Sequence, residues 1–188
     1  MKRILVASNN KGKIAEIKQI LSDWEVYSLA DKGISIDVEE TGSTFEENAL
    51  IKAKAVFETS GLPCISDDSG LMVDALDGAP GVYSARYSGH EHDDKANNAL
   101  LLKNLEGKAD RSAKFVSCVV YYDGKRTVVG RGEVKGHILT KESGSSGFGY
   151  DPLFFCDEIG KSFGMASAQE KNAVSHRSRA LKDLASKL

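Results

Sequence analysis

The sequence predicts an α/β fold built on a mixed β-sheet, and two features carry this prediction. Near the start, an almost wholly apolar run at residues 3–7 is followed by residues 13–21, whose isoleucines and leucine recur at helical spacing. Further along, two strand-like segments, residues 114–122 and 127–134, flank Asp123-Gly124, a strong signal for a β-hairpin. Strands that alternate with helices favour parallel pairing and a hairpin adds antiparallel pairing, so both kinds are expected in one sheet.

The remaining elements of the first half follow in order. The run at residues 3–7 is predicted to be a strand buried on both faces, because it has almost no polar side to turn toward water. A second strand is predicted at about residues 25–29. Ser43 and Glu46 have the spacing of a capping box, so a helix is predicted to begin there and to continue to about Ser60.

Three further elements are predicted in the second half. Asp93, or the aspartate after it, is predicted to cap a helix that ends near Glu106. Residues 143–149 contain three glycines and three serines, which predicts a mobile loop within the domain. A closing helix is predicted to begin at His176, or one residue earlier, and to run to the end of the sequence.

Composition and charge restrict the class of function. Of 188 residues, 41% are hydrophobic and 28% are charged, which is ordinary for one domain or for two lobes that share a core. Neither a membrane span nor a signal peptide is expected. The formal net charge of −2 argues against nucleic-acid binding, because a surface that follows a phosphate backbone needs an excess of basic residues. Three widely spaced cysteines without a C-x-x-C pair predict free thiols and a cytoplasmic protein.

Two adjacent carboxylates lie in the segment Ser66-Asp67-Asp68-Ser69-Gly70, which follows a short apolar run. The pattern predicts a strand that ends in a turn, and alternation along the strand sends Asp67 and Asp68 to different sides. One carboxylate can then face a cleft and bind Mg2+ or take a proton from water, while the other is tied to the backbone. Taken alone, such a segment is more typical of a solvated turn than of an active site.

The segment Ser8-Asn9-Asn10-Lys11-Gly12-Lys13 stands between a predicted strand and a predicted helix. Helix N-terminal amides, a glycine and two lysines are the features of a phosphate-binding turn. The Walker A pattern is absent. By itself a turn of this kind is more typical of a plain helix start.

Further motifs follow in a characteristic order. They are Thr41-Gly42-Ser43-Thr44-Phe45-Glu46-Glu47-Asn48-Ala49 with Lys52-Ala53, Gly78-Ala79-Pro80-Gly81-Val82-Tyr83-Ser84-Ala85-Arg86-Tyr87, Gly147-Phe148-Gly149-Tyr150-Asp151-Pro152 and Ser175-His176-Arg177. With the two segments above, this set resembles the inosine triphosphate pyrophosphatase family over nearly the whole chain. The resemblance implies one domain, residues 1–188, with an elongated mixed sheet flanked by helices and two lobes around a central nucleotide cleft. It also implies a homodimer, and the composition gives no reason to expect a nucleic-acid or membrane partner.

The resemblance further implies hydrolysis of non-canonical purine nucleoside triphosphates (ITP, dITP and XTP) to the monophosphate and pyrophosphate, with Mg2+ as cofactor. In this interpretation Asp68 is the catalytic residue, and Glu39 and Asp68 are the metal ligands. The implied substrate-binding residues are Ser8, Asn9, Asn10, Lys11, Gly12, Lys13, Lys52, Ser69, Phe148, Gly149, Tyr150, Asp151, Lys171, His176 and Arg177. Aromatic faces and hydrogen-bond donors in the later motifs suit a stacked purine with a 6-keto oxygen.

Several alternatives stay open at this point. Asp68 is either a general base or mainly a metal ligand, because a metal-bound water can be the nucleophile. A pyrimidine nucleotide pyrophosphatase could use the same acids with another base pocket, and a nucleotide sensor could bind without catalysis. The chain also reads Phe163-Gly164-Met165 where the family usually reads Phe-Ala-Glu, which leaves the geometry of that loop undetermined.

Overall fold

A computed structural model describes residues 2–188, which form a mixed β-sheet flanked by helices. The strands in this part of the chain are β1 (Lys2–Val6), β2 (Trp24–Ser28), β3 (Cys64–Val73), β4 (Ser112–Tyr122), β5 (Thr127–Ile138), β6 (Phe154–Cys156) and β7 (Lys161–Ser162). The α-helices are α1 (Lys11–Ile20), α2 (Phe45–Ser60), α3 (Asp94–Asn104), α4 (Ala168–Val174) and α5 (His176–Ala185). The strand order is β2-β1-β3-β4-β5-β6-β7. Because β1 is parallel to β2 and β3, and β6 is antiparallel to β5 and β7, the predicted mixed sheet is confirmed.

The chain divides into two compact units. The first contains the residues up to Asp68 together with Ser117–Gly132 and Arg177–Leu188. The second contains Ser69–Val116 and Glu133–His176. Among the described residues, the first unit has two buried apolar clusters and the second unit has one.

The core of the first unit is arranged on both faces of β1. Ile4 and Val6 belong to a buried cluster with residues of α1 and α5, whereas Leu5 belongs to a second cluster with residues of α2. Successive side chains of a strand point to opposite faces, so a strand covered on both sides must be apolar throughout. The prediction of a doubly buried first strand is therefore confirmed for residues 4–6, whereas Lys2 and Arg3 at the start of β1 are exposed.

The strand order reverses at β1, which has β2 on one side and β3 on the other. In open sheets of this kind, ligands bind beyond the carboxyl ends of the strands at the point where the order reverses. Val6, the last residue of β1, pairs with Ile65, and β3 continues from there to Val73. The residues of β3 after Ile65 thus lie beside the loop that follows β1.

The prediction of a turn at Ser66–Gly70 was wrong, because these residues lie inside β3. Their polar side chains were interpreted as the end of a strand. β4, the neighbour of β3 on the side away from β1, supplies hydrogen-bonding partners from another part of the chain. Only this tertiary pairing explains how a run of serine and aspartate stays extended.

Two local predictions can be compared directly with the structure. The hairpin is confirmed, since β4 and β5 are sheet neighbours joined by a turn in which Asp123 Oδ1 accepts from the Arg126 N–H at 2.7 Å. The capping box of α2 was placed one residue too early. Thr44 accepts from the Glu47 N–H at 3.2 Å, and Glu47 bonds back to Thr44. Both registers have the same Ser/Thr-x-x-Glu spacing, so the pattern alone could not choose between them.

Within residues 2–188, no helix is both long and apolar enough to cross a membrane. Cys64, Cys118 and Cys156 are buried free thiols, and burial raises the pKa of Cys64 to about 12. Such thiols are poor nucleophiles, which gives them a packing role.

Candidate functional site

The first turn of α1 is organised by its own polar residues. Asn10 caps the helix, since its side chain accepts from the Lys13 N–H at 3.0 Å. The Asn10 N–H in turn donates to the Ser8 hydroxyl oxygen at 3.1 Å, and the Asn9 side-chain amide donates to the Ile36 carbonyl at 3.3 Å. The loop after β1 therefore has a defined shape that directs Lys13 toward β3.

Asp67 anchors this region from inside the first unit. Its Oδ1 accepts from the Ser117 hydroxyl at 2.5 Å, and its Oδ2 lies 3.0 Å from Lys13 Nζ and 3.1 Å from Arg177 Nη2. Burial alone would raise the pKa of Asp67, but Arg177 and Lys13 hold it well below the usual range. Asp67 is thus a buried residue whose two oxygens are bound by Ser117, Lys13 and Arg177, and the two cations favour its ionised form.

Asp68 has a different environment although it is the next residue. It is 5% exposed, and its Oδ1 lies 3.6 Å from Lys52 Nζ. Its Oδ2 is buried and makes no hydrogen bond within residues 2–188. Lys52 makes closer contacts, to Glu40 Oε1 at 2.8 Å and to the Asp67 carbonyl oxygen at 3.0 Å. We call Lys13, Glu40, Lys52, Asp67 and Asp68 the carboxylate–lysine cluster.

Burial and nearby charges act in opposite directions on the pKa values of Asp68 and Lys52, and a different one of the two dominates at each residue. Burial raises the pKa of Asp68 above its usual value, and Lys52 and Lys13 offset this only in part. Burial would lower the pKa of Lys52, but Asp68 and Glu40 raise it above its usual value. The separation of 3.6 Å between Asp68 and Lys52 is long for an ion pair, which explains why it does not outweigh the burial of the carboxyl. Asp68 is therefore a carboxylate with an increased affinity for protons.

Within the described residues, the site offers few protein ligands to a metal ion. Within residues 2–188, no three histidine, cysteine, aspartate or glutamate side chains lie close enough together to hold a metal ion. The cluster does contain one buried carboxylate oxygen, Asp68 Oδ2, without a hydrogen-bond donor. Mg2+ characteristically takes one or two carboxylates and completes its shell with phosphate oxygens and water. The residues present fit this ion better than one that needs a full protein cage.

The structure places the predicted ligand Glu39 at the surface, while its neighbour Glu40 is partly buried and bound to Lys52. The segment that carries both acids is fixed at its end by α2. There, Asn48 Oδ1 accepts from the Gly42 N–H at 2.7 Å. α2 thus holds the acidic segment through Asn48 and, one turn later, through Lys52.

Arg177 is the second predicted residue that the structure places in an unexpected setting. Nε and Nη2 donate to Asp67 Oδ2 at 3.3 Å and 3.1 Å, and Nη1 donates to Glu16. Glu16, Ser117 and Glu40 were not identified as site residues from the sequence. Only Glu16 had a readable signal, because it follows Lys13 by three residues and so shares its face of α1.

In the second unit, Phe148, Asp151 and Lys171 form what we call the aromatic–acid cluster. Asp151 Oδ2 accepts from Lys171 Nζ at 2.6 Å and from the Phe148 N–H at 3.0 Å. Lys171 Nζ also lies 4.8 Å from the centre of the Phe148 ring. The Asp151 and Lys171 side chains are buried, whereas Phe148 is partly exposed. The buried Lys171–Asp151 ion pair therefore contacts both the backbone and the partly exposed ring of Phe148.

The other predicted residues of the second unit have varied settings. Tyr150 is part of the core, and its hydroxyl donates to the Ser84 carbonyl at 2.6 Å. The His176 ring is buried and stacks on Phe115 with ring centres 4.8 Å apart. Ser69 is partly buried in β3. Tyr150 and His176 are therefore both held in buried packing contacts, whereas Ser69 is not fully buried.

Comparison with known proteins places this chain in a family. The sequence model of the Ham1 family matches residues 4–187. The chain belongs to the Ham1 family. A dITP/XTP pyrophosphatase from Bacillus licheniformis is 46% identical to it, and the match covers 100% of this chain and 98% of that protein.

Two solved structures of Ham1 relatives share the fold. A HAM1 protein from Coxiella burnetii has a TM-score of 0.88 at 38% identity, covering 100% of this chain and 98% of that one. The other is a nucleoside-triphosphatase / dITP/XTP pyrophosphatase from Mycobacterium abscessus. It has a TM-score of 0.76 at 46% identity, and the match covers 96% of this chain and 97% of that one. These likenesses bear out the α/β fold and the family resemblance together.

One departure from the usual Ham1 pattern has a structural consequence. A Cβ atom on Gly164 would collide with the Ser143 carbonyl oxygen and lie 2.8 Å from Pro152 Cα. Met165, the next residue, is 59% exposed. Gly164 therefore permits a close backbone approach that alanine would not, and the Ser146 N–H bonds to its carbonyl at 2.9 Å.

Proposed function

We propose that this Ham1 family protein hydrolyses ITP, dITP and XTP to the nucleoside monophosphate and pyrophosphate. The observation that carries the proposal is Asp68, a buried carboxyl with a raised pKa and an oxygen without a hydrogen bond, beside Lys52. Such an environment suits a group that must take a proton during catalysis. The names of the relatives, dITP/XTP pyrophosphatases, support the same substrate class.

In the proposed reaction, a water oxygen attacks the α-phosphorus of the triphosphate. A bond forms between this oxygen and the phosphorus, and the bond to the oxygen that bridges the α- and β-phosphates breaks. Asp68 Oδ2 accepts the proton of the water, and pyrophosphate leaves with the bridging oxygen. Lys13, which is paired with Asp67, and Lys52, which lies beside Asp68, carry positive charge that would offset the negative charge developing on the phosphates.

Mg2+ is proposed as the cofactor, held by Glu39 and Asp68. When bound, it would neutralise phosphate charge and lower the pKa of a bound water. The buried Asp68 oxygen supports this assignment. Glu39 is exposed, and so its carboxylate is accessible to an incoming metal–nucleotide complex.

The phosphates are proposed to bind to the turn after β1, to α2 and to the middle of β3. The residues assigned to this role are Ser8, Asn9, Asn10, Lys11, Gly12, Lys13, Lys52 and Ser69. Amide groups in the first turn of a helix favour anions, and the turn contributes two lysines. Lys52 is proposed to exchange its contact with Glu40 for one with phosphate when substrate binds.

The base is proposed to stack on Phe148, whose ring is partly exposed. The other residues assigned to the base are Gly149, Tyr150, Asp151, Lys171, His176 and Arg177. Donors directed at a purine 6-keto oxygen would reject adenine, since its 6-amino group sets donor against donor. The Arg177 guanidinium already binds Asp67 and Glu16, so a contact with the base would add to these ion pairs.

A release assay for pyrophosphate across ITP, dITP, XTP, GTP, ATP, CTP and UTP with Mg2+ tests the proposal. We expect kcat/KM for ITP, dITP and XTP to be well above that for GTP, with ATP and the pyrimidine nucleotides lowest. A site built around a substrate hydrogen bond can discriminate by up to about 10^4-fold. A preference for CTP or UTP would identify a pyrimidine nucleotide pyrophosphatase. Binding of ITP without release of pyrophosphate would identify a sensor.

We also propose that the protein is a cytoplasmic homodimer. The dimer rests on the family resemblance, and the buried free thiols suit a reducing compartment. One chain has a mass of 20.3 kDa. Sedimentation equilibrium should give twice that mass. A concentration-independent mass of one chain would contradict the dimer.

A further inference from the structure

Helix α3 carries two adjacent asparagines that are almost completely buried. Asn97 is 2% exposed and Asn98 is 4% exposed. Asparagine is mostly found at the surface, and a buried amide must be hydrogen-bonded to offset its loss of water. Asn97 bonds through both Oδ1 and Nδ2, whereas Asn98 bonds through Nδ2 and its buried Oδ1 has no hydrogen bond within residues 2–188.

Asn97 serves the segment just before α3. Its Oδ1 accepts from the Ser88 N–H at 2.8 Å, and its Nδ2 donates to the Ala85 carbonyl at 3.2 Å. Neither Ala85 nor Ser88 is among the residues assigned to the substrate. Asn97 thus stabilises the segment that leads into α3.

Asn98 instead reaches the loop that contains Phe148. Its Nδ2 donates to the Gly149 carbonyl at 3.2 Å and to Glu142 Oε1 at 3.3 Å. One turn earlier on α3, Asp94 Oδ2 accepts from the Gly149 N–H at 2.8 Å. Residues four apart lie on the same face of a helix, so one face of α3 binds both polar groups of the Gly149 backbone.

Gly149 needs such partners because of its conformation. Its φ is +60°, in the left-handed region, and it lies in a turn outside the sheet ladder. On either side, the Phe148 N–H is bound to Asp151 and the Tyr150 hydroxyl is bound to Ser84. The Gly149 N–H and carbonyl belong to the two successive peptides of this turn, and α3 binds both. The N–H shares its peptide with Phe148, so a change there would alter the position of Phe148.

We propose that Asn98 and Asp94 are positioning residues that set base selectivity by fixing Gly149, and hence the Phe148 ring. The inference rests on the proposed function, in which Phe148 stacks on the purine. Neither residue touches the substrate in this account. Displacement of a binding group by about 1 Å can cost up to about 10^2-fold in rate, so an effect at this distance is measurable.

The matched pair Asn98→Ala and Asn97→Ala tests the inference, since the two residues share type, burial and helix. Each variant should lower Tm. Only Asn98→Ala should narrow the ratio of kcat/KM for ITP to that for ATP, by about tenfold. An equal change in both variants, or an unchanged ratio in Asn98→Ala, overturns the inference.

Asp94 provides a second arm at an exposed position, where loss of the fold is not expected. Asp94→Ala should speed hydrogen exchange of the Gly149 amide at least threefold and narrow the ITP to ATP ratio. Asp94→Asn retains a side-chain oxygen as acceptor, so its Gly149 exchange rate and its ITP to ATP ratio of kcat/KM should be closer to those of wild type. Asp93→Ala is the control, since Asp93 caps α3 through the Ala96 N–H and makes no contact with Gly149 in the structure.

The outcomes separate this inference from the proposed function. If wild type does not favour ITP over ATP, the proposed function fails, and the inference fails with it. If wild type favours ITP, but Asp94→Ala and Asn98→Ala keep the full ratio, only the inference fails. A faster Gly149 exchange with an unchanged ratio also overturns it, because the contact would then be merely structural.

Discussion

Asp67 and Asp68 are neighbours in β3, and alternation along the strand gives them opposite environments. The Asp67 carboxylate is bound on both oxygens and has a depressed pKa, whereas Asp68 has a raised pKa and one oxygen without a hydrogen bond. A depressed pKa marks a group that stabilises the fold while ionised, and a raised pKa marks one whose ionisation costs stability. Asp67 is therefore suited to a structural role, and Asp68 is suited to the catalytic role that we propose for it.

Substitution of each aspartate by asparagine should show this separation. Asp68→Asn should lose about 10^2–10^4-fold in kcat while its Tm stays equal to or above that of wild type, because a neutral group is cheaper to bury. Asp67→Asn should lower the stability by about 3–5 kcal/mol, since it leaves Arg177 and Lys13 facing a neutral amide. Thermal unfolding and kcat should be measured on both variants. A folded Asp68→Asn protein with activity within a few-fold of wild type contradicts the assignment.

The pH dependence of kcat/KM should report Asp68. A base must be ionised, so activity falls as the pH drops below the pKa of Asp68 in the folded protein. Lys52 lowers this pKa and Glu40 raises it. Lys52→Met should therefore move the acid limb to higher pH, and Glu40→Gln should move it to lower pH. The readout is the position of the limb rather than its height, and an unmoved limb in both variants would exclude Asp68 as the titrating group.

At the scale of elements, Arg177 ties three parts of the first unit together. It is the second residue of α5, and its guanidinium binds Asp67 of β3 and Glu16 of α1. Burial would lower its pKa, but Asp67 and Glu16 raise it above the usual value. The guanidinium thus closes a buried network that holds the first turn of α1, and with it Lys13, against β3.

Arg177→Ala should consequently destabilise the protein by about 3–5 kcal/mol, because it leaves two carboxylates without their cation. For a chain of this size the fall in Tm would be about 6 °C or more. Arg131→Ala is the matched control, since Arg131 and its partner Glu46 are exposed by 62% and 43%. Exposed pairs contribute about 0–1 kcal/mol, so the control should change little. Similar melting curves for the two variants would refute the anchoring role.

The sequence predicted the elements whose pattern is local. The first strand, helix α2 and the Asp123-Gly124 hairpin are examples, since apolar runs, capping residues and turn residues act within a few positions. The sequence did not predict elements that depend on pairing with a strand from a distant part of the chain. The extended course of Ser66–Gly70 depends on pairing with β4, and the strands β6 and β7 are too short to leave a pattern.

The candidate site shows the same division. Carboxylates and lysines could be identified from motifs, and the family resemblance supplied their roles. The ion pairs of Arg177 with Glu16 and Asp67 join residues more than 100 positions apart, and no local spacing indicates them. The preference of Lys52 for Glu40 over Asp68 likewise depends on distances that only the folded chain defines.

For the whole molecule, topology explains where the chemistry is placed. The sheet order reverses at β1, and β3 continues past the end of that strand. The loop after β1, the first turn of α1 and Asp68 are therefore brought together at the carboxyl end of β1. Since Asp68 has a fully buried oxygen that makes no hydrogen bond within residues 2–188, activity should depend on what this oxygen binds.

Removal of divalent metal should accordingly abolish turnover of ITP. Mg2+ should restore it better than Ca2+, because Mg2+ enforces octahedral geometry at short distances and Ca2+ does not. Purified protein should be treated with EDTA, and kcat should be measured after each ion is returned in excess. Full activity in EDTA would rule out the proposed role of Glu39 and Asp68 as metal ligands.

The central claim is that water attacks the α-phosphorus and that pyrophosphate leaves in one piece. Hydrolysis of ITP in water enriched in oxygen-18, followed by mass spectrometry of the products, tests it directly. The account predicts one oxygen-18 atom in the inosine monophosphate and none in the pyrophosphate. Label in the pyrophosphate, or orthophosphate as the first product, would contradict it.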